Sequence, residues 1–269
     1  MYHGLNNNFL YTAYRVAATF TSDDGSFTEK SGTGFFVNAT SGICFVTNRH
    51  LVDPPYADQK YLRHRLTRLA LHGKQKGASN RPDADARFVF VNPTFLYSAN
   101  YENDVACMIN GTIEDTDGRI EYAIPQDFLA TRADFESQFD VNDFLAFPGY
   151  PPWFDRLGAR PILRTGTIAS DPRYDYSFKD KSCGECLAYE AFSFGGSSGS
   201  PVFALQKGFQ TDGSLVVPGY RRLFLIGINA GHLPEATSGH SGISYLFKSS
   251  AILDIITAAA VSVADVNPS

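Results

Sequence analysis

Ser198 stands in Phe192-Ser193-Phe194-Gly195-Gly196-Ser197-Ser198-Gly199-Ser200-Pro201, a stretch whose residue types suit a nucleophilic hydroxyl. Such a hydroxyl needs a tight turn that exposes its oxygen and aims backbone N–H groups at one point. Glycine permits that backbone because it has no Cβ to clash at positive φ. The N–H groups of Gly196 and Ser198 are placed to receive the oxyanion of a tetrahedral intermediate. Pro201 fixes the exit, and Val202-Phe203-Ala204-Leu205 reads as a buried strand leaving the turn. A plain Gly/Ser-rich surface loop is the competing reading, since short motifs match by chance. A flexible linker, however, is not followed at once by proline and an apolar strand.

A serine hydroxyl is a poor nucleophile unless a base takes its proton. The histidines are His3, His50, His64, His72, His232 and His240, and His50 stands out by context. Asp104, in Asn103-Asp104-Val105-Ala106-Cys107-Met108-Ile109, is the matching acid at the mouth of an apolar strand. A buried aspartate needs a donor, and an imidazole N–H supplies one. Asp53, Asp83 and Asp85 are rivals. Asp83 and Asp85 lie in a polar loop, and Asp53 precedes Pro54-Pro55 in what reads as a turn.

The elements that must hold these groups read as strands. Ser31-Gly32-Thr33-Gly34-Phe35-Phe36-Val37, the turn Asn38-Ala39-Thr40-Ser41-Gly42 and the apolar run from Ile43 to Val52 form a hairpin carrying His50 near its far end. A first strand is expected over residues 9–21, further strands at Phe88–Val91 and Val105–Ile109, and a linker over 110–140 with a strand or short helix inside it. Residues 58–77 interleave Lys, Arg and His with leucines, which reads as a strand or amphipathic segment with one solvated face, and less well as a basic docking patch. Arg222 to His232 is a buried strand, Gly242–Phe247 the closing strand, and Ser249 is placed to N-cap a terminal helix whose Ile252, Leu253, Ile255 and Ile256 recur at helical spacing.

In this order, Gly32-Thr33-Gly34-Phe35, Thr47-Asn48-Arg49-His50-Leu51-Val52, Asn103-Asp104-Val105-Ala106, Phe147-Pro148-Gly149-Tyr150-Pro151 and Gly195 to Pro201 resemble the motifs of chymotrypsin-like serine peptidases. The chain order His50, Asp104, Ser198 is that family's order as well. The serine motif, with Ile226-Gly227-Ile228-Asn229-Ala230-Gly231 after it, looks most like the bacterial glutamyl-endopeptidase branch. The resemblance covers nearly the whole chain. It implies an all-β fold of two packed six-stranded antiparallel β-barrels with a C-terminal helix. Residues 1–269 are then one domain, with barrels at about 9–115 and 140–248 and the helix at 249–260.

The resemblance also implies a serine endopeptidase working through an acyl-enzyme. Ser198 attacks the carbonyl, His50 takes and returns the proton, and Asp104 orients His50. Gly196 and Ser198 hold the oxyanion; Ser193, Asn229, Ala230 and Gly231 bind substrate. Ser197 stands where relatives often carry Asn or Asp, and shapes the loop. Asn229 stands where the glutamate-specific branch usually has His, so a small or polar side chain before the cleaved bond is expected instead; His232 or His240 is either a substitute for that His or a surface residue. A silent relative that binds peptides in the same groove is the alternative. An esterase of the α/β-hydrolase type is disfavoured, since its Ser-Asp-His order is not met.

Composition bounds the partners. Phenylalanine alone numbers 22, which suits sheet cores, and the net charge of −5 gives no overall attraction to nucleic acid or an anionic membrane. The expectation is a polypeptide substrate with no cofactor, metal, nucleic acid or membrane. The start of the chain lacks a basic segment before an apolar core, so a cytoplasmic setting is expected; a chain trimmed of its leader, and secreted, reads the same way. Cys44 and Cys107 sit in apolar runs as small buried hydrophobes. Cys183-Gly184-Glu185-Cys186 reads as a local disulfide, half of a zinc site or two free thiols.

Overall fold

The computed structural model describes residues 4–178, 181–208, 220–234 and 239–266; of the candidate histidines, His3 lies outside these. The first half holds β1 (Ala13–Ser22), β2 (Phe27–Ala39), β3 (Gly42–Thr47), β4 (His64–Gln75), β5 (Ala84–Tyr97) and β6 (Ala106–Asp117). These strands pair in the row β1-β4-β5-β6-β3-β2, and an extra pairing of β1 with β2 joins its ends, so the six close on themselves. A two-residue strand, β7 (Ile124–Pro125), adds to β2 in parallel.

Alternation in the sequence explains the closure. Along β1, Tyr14, Val16, Ala18 and Phe20 are buried while the residues between them are partly exposed. A strand with side chains on alternate faces can bury one face inside a barrel. Phe9, expected to open the first strand, lies instead in a one-turn helix α1 (Asn7–Leu10) whose start is capped by the Asn6 side chain, and β1 begins at Ala13. Residues 64–75 of the basic, leucine-bearing segment are strand β4, with Leu69 and Leu71 in the core.

The second half holds β8 (Phe144–Gly149), β9 (Ile162–Ile168), a small ladder of β10 (Ser177–Phe178) with β11 (Lys181–Ser182), and then β12 (Cys186–Glu190), β13 (Pro201–Ala204), β14 (Phe224–His232) and β15 (Ile243–Lys248). Six of these form a closed barrel, β12-β15-β14-β13-β8-β9. Besides α1, the helices are α2 (Arg49–Val52), α3 (Pro54–Ala57), α4 (Arg132–Ser137) and α5 (Ser249–Val266). No helix among the described residues is long and apolar enough to cross a membrane.

Three apolar clusters hold the molecule together, one inside each barrel and one between them. The cluster between the barrels joins Val37 and Cys107 of the first to Phe203, Leu225 and Ile228 of the second, and α5 adds Ile252, Ile255 and Ile256. Burying one such isoleucine contributes roughly 1.5–3 kcal/mol. Ser249 begins α5, but its hydroxyl donates to the Ala130 carbonyl at 2.6 Å and so does not cap the helix as expected. Cys44, Cys107, Cys183 and Cys186 form no disulfide, and Cys186 Sγ donates to the Cys183 carbonyl at 2.8 Å.

Candidate active site

His50 is not at the end of a strand. β3 stops at Thr47, and His50 lies in the single turn of α2. Pro54-Pro55 opens α3 and disfavours a helical residue before it, which ends α2 at Asp53. The neighbouring Arg49 bolts this turn down. Its guanidinium lies 4.3 Å from the ring of Tyr97, 4.6 Å from Tyr56 and 4.7 Å from Tyr101, and it pairs with Asp53 at 2.8 Å. Lys30 Nζ donates to the His50 carbonyl at 2.8 Å, and burial lowers the pKa of that amine.

Asp104 meets His50 twice. Its Oδ2 lies 2.5 Å from His50 Nδ1, and its Oδ1 accepts the His50 backbone N–H at 2.7 Å. Both carboxylate oxygens thus fix one histidine, in ring and in main chain. Asn48 Nδ2 donates to the Asp104 carbonyl at 2.8 Å, which ties the start of α2 to the segment that leads into β6. Burial and the Asp104 charge push the nearby Tyr245 phenol up to about 12. The rival acids are engaged elsewhere: Asp53 with Arg49, Asp85 with Lys74, and Asp83 with the Ser79 hydroxyl.

Ser198 sits in a loop built by glycines and gripped by one threonine. The Ser197 N–H donates to the Phe194 carbonyl at 2.9 Å, closing a four-residue turn with Gly195 and Gly196 at its centre. Gly196 has φ +86°, and a Cβ there would lie 2.3 Å from the Tyr150 carbonyl oxygen. Gly199 has φ +87°, and a Cβ there would lie 1.8 Å from the Thr33 carbonyl oxygen. Neither site admits a side chain. Thr33, on β2 and fully buried, is the grip. Its N–H donates to the Ser198 carbonyl at 2.8 Å, its hydroxyl donates to the Gly196 carbonyl at 2.7 Å, and that hydroxyl accepts the Tyr150 N–H at 3.1 Å. The serine loop of the second barrel is therefore seated on the first.

The N–H groups of Gly196 and Ser198 donate to no acceptor among the described residues. They remain open to an incoming anion. The Ser198 hydroxyl donates to the Ala230 carbonyl at 3.2 Å, and no hydrogen bond joins it to His50. The structure thus brings His50 and Asp104 into direct contact and leaves the serine oxygen turned toward β14.

The residues expected to bind substrate fall into two sets. Asn229 is enclosed, 1% exposed, with Nδ2 donating to the Ser197 carbonyl at 2.7 Å and Oδ1 accepting the Tyr189 hydroxyl at 2.6 Å. Ser193 is equally enclosed and shares a hydrogen bond with the Ser244 hydroxyl at 2.9 Å. Both side chains support the loop from behind and present no free polar atom to a bound side chain. Ala230 and Gly231 lie where β14 has passed its last partner on β13, Ile228 opposite Pro201, so one edge of the strand is unpaired there. His232 and His240 stack at 4.2 Å with their planes 14° apart, and Phe192 lies against His240. Burial first, and the charge of His232 second, lower the His240 pKa. His64 and His72 belong to β4. Beside Asp104, a cavity of about 360 Å³ is bordered by Tyr56, Tyr176, Cys186, His232 and Tyr245.

Sequence reasoning did not assign Thr33 or Arg49 a part in the site. Glycines on both sides of Thr33 were the available signal: a Cβ on Gly32 would lie 3.0 Å from the Ser198 carbonyl oxygen. Nothing local marks Arg49, whose cage is assembled from residues up to Tyr101.

A family model described as "Trypsin-like peptidase domain" matches residues 32–209. No curated protein matches the chain. Solved structures do, at low identity. The crystal structure of Deg5 is 16% identical with TM-score 0.52, covering 95% of this chain and 93% of its own. The protease Anisep from Arthrobacter nicotinovorans is 14% identical with TM-score 0.54, covering 93% and 96%. The thermostable serine protease AL20 from an extremophilic microorganism is 15% identical with TM-score 0.52, covering 94% and 98%. At these identities the likeness is one of fold.

Proposed function

Because this chain belongs to the trypsin-like peptidase domain family, we propose that it is a serine endopeptidase whose nucleophile is Ser198, whose base is His50 and whose orienting acid is Asp104. The observation that carries this reading is the double hold of Asp104 on His50, at Nδ1 and at the backbone N–H. With Nδ1–H donating to the carboxylate, Nε2 keeps the lone pair that a general base needs.

In this mechanism the Ser198 hydroxyl leaves the Ala230 carbonyl, passes its proton to His50 Nε2 and attacks the peptide carbonyl. The carbonyl oxygen becomes an oxyanion, received by the open N–H groups of Gly196 and Ser198. His50 then hands the proton to the leaving amine, and a water repeats the sequence on the acyl-enzyme. The substrate main chain pairs with the free edge of β14 at Ala230 and Gly231, as an added strand does.

For the side chain before the cleaved bond, a small or polar residue fits better than glutamate. Asn229 stands where the glutamyl-endopeptidase branch has His, and its amide is already held by Ser197 and Tyr189. A second reading, a groove that binds peptides without turnover, is favoured by the resting bond from Ser198 to Ala230. A fluorophosphonate probe separates the two. Labelling of the wild type, absent in Ser198→Ala, supports the peptidase; no labelling of a folded wild type sinks it. Cleavage of a peptide library then reads the preferred side chain.

A further inference from the structure

The guanidinium of Arg164, on β9, lies 4.4 Å from the ring centre of Phe194 and 5.7 Å from that of Trp153. The two rings meet edge to face at 4.6 Å. Nη1 of the same guanidinium reaches the Ser197 hydroxyl at 3.4 Å. Arg164 therefore touches the first and last residues of the turn Phe194–Ser197, and the N–H of Gly196 belongs to that turn.

A half-buried arginine normally faces a carboxylate. Among the described residues, none forms an ion pair with Arg164, and burial lowers its pKa. What holds the charge is the Phe194 ring at close range, the Trp153 ring further off, and a hydroxyl. Cation–π contact contributes most where water is excluded. The Phe194 ring, in turn, has its own place against Trp153. Between Phe194 and Ser197 the chain needs Gly196 at positive φ with no room for a Cβ, so the turn gains nothing from its own side chains at the centre. Its geometry has to be imposed from both ends. Thr33 and Asn229 grip the carbonyls of Gly196 and Ser197. Arg164 is the group that engages the side chains at the two ends.

We propose that Arg164 is a positioning residue for the Gly196 and Ser198 N–H groups: by stacking on Phe194 and bonding to Ser197 it keeps the turn in the shape that receives the oxyanion. It touches no reacting atom. This rests on the peptidase reading of the site, and it goes beyond that reading by assigning a role to a residue outside the His50-Asp104-Ser198 set. Loosening one oxyanion donor is costly in related chemistry, about 100-fold or more when the donor is removed outright. A turn left in place but less fixed should lose roughly tenfold.

The test compares wild type, Arg164→Met and Arg164→Lys in three measurements: the rate of fluorophosphonate labelling, the kcat and KM for one peptide amide, and the binding of a peptide aldehyde against that of the product peptide. Arg164→Met keeps most of the bulk and loses the charge and the donor. The expected result is labelling and kcat lowered about tenfold with KM within about twofold. Aldehyde affinity falls with kcat, while product affinity does not. Arg164→Lys falls between, because an ammonium cannot stack and bridge as a planar guanidinium does. If wild type is labelled and Arg164→Met is labelled equally fast, the proposal is overturned. A KM effect alone, or equal loss of aldehyde and product binding, also overturns it. If Arg164→Met does not fold, Arg164→Lys is read alone, and an unchanged labelling rate there overturns it. Failure of wild type itself to be labelled would instead strike the peptidase reading.

Discussion

The Ser198 hydroxyl rests 3.2 Å from the Ala230 carbonyl oxygen, while the imidazole of His50 is engaged by Asp104. In the proposed mechanism the hydroxyl must leave this acceptor by a change of its side-chain rotamer. Rotamer changes of this kind take picoseconds to nanoseconds, and a single neutral hydrogen bond contributes about 1 kcal/mol. The resting contact is therefore a minor part of any chemical barrier. In a crystal of the fluorophosphonate adduct, Ser198 Oγ is expected to have left Ala230. An adduct on another residue would contradict this.

Asp104→Asn should lower kcat about 10⁴-fold with the fold intact. The amide can no longer accept from both Nδ1–H and the backbone N–H of His50 without one mismatched contact. Initial rates on a peptide amide, beside a thermal melt, check this. A variant retaining a tenth of wild-type kcat would remove Asp104 from the proposed role.

Thr33→Val keeps the shape of a fully buried side chain and leaves the Gly196 carbonyl and the Tyr150 N–H without their partner. Each unsatisfied buried group costs roughly 1–3 kcal/mol. The expected outcome is a lower denaturant midpoint together with slower labelling of Ser198. Thr33→Ser should keep most of both. Loss of stability with unchanged labelling would mean that the threonine supports the barrels without shaping the loop.

Arg49→Lys dismantles the cage of Tyr56, Tyr97 and Tyr101 and weakens the pair with Asp53. A cation–π contact contributes about 0.5–2 kcal/mol, and lysine cannot satisfy several rings and a carboxylate together. Stability should fall by roughly 1–2 kcal/mol, and kcat severalfold with KM little changed, since the α2 turn presents His50. Equal kcat in the variant would mean that the cage does not help to present His50.

His240 gives a pH dependence whose sign is fixed. Burial, the charge of His232 and that of Arg164 hold its pKa below the usual 6.5. As the solution is acidified through the histidine range, the unfolded chain takes up a proton that the folded chain resists. The unfolded state then binds more protons, so stability drops as pH falls. Between pH 7.5 and 5, the thermal midpoint of His240→Gln should fall less than that of the wild type. A steeper fall in the variant would reverse the assigned sign.

Much of the site could be read in the chain because its parts are short and contiguous. The glycines around Ser198 and the acid just before β6 each announce themselves within a few residues. The alternation of Tyr14, Val16, Ala18 and Phe20 likewise announces β1. What escaped reading was what depends on direction or on distant partners. Asn229 lies on a strand whose two faces look alike in sequence, and only the fold decides that its amide points at Ser197. Thr33 is 163 positions from its partner Gly196. His50 was expected on a strand because the apolar run continues through Leu51 and Val52, yet those residues pack into the first barrel from a helical turn.

Helix α5 places isoleucines in the seam where the two barrels meet. His50 and Asp104 belong to the first half of the chain and Ser198 to the second, so α5, which contributes none of the proposed triad, packs in the seam between the halves that carry it. Loss of the segment behind Lys248 would leave His50, Asp104 and Ser198 on the chain and strip those isoleucines from the packing between the barrels. On the proposed reading, α5 bears on turnover from outside the site.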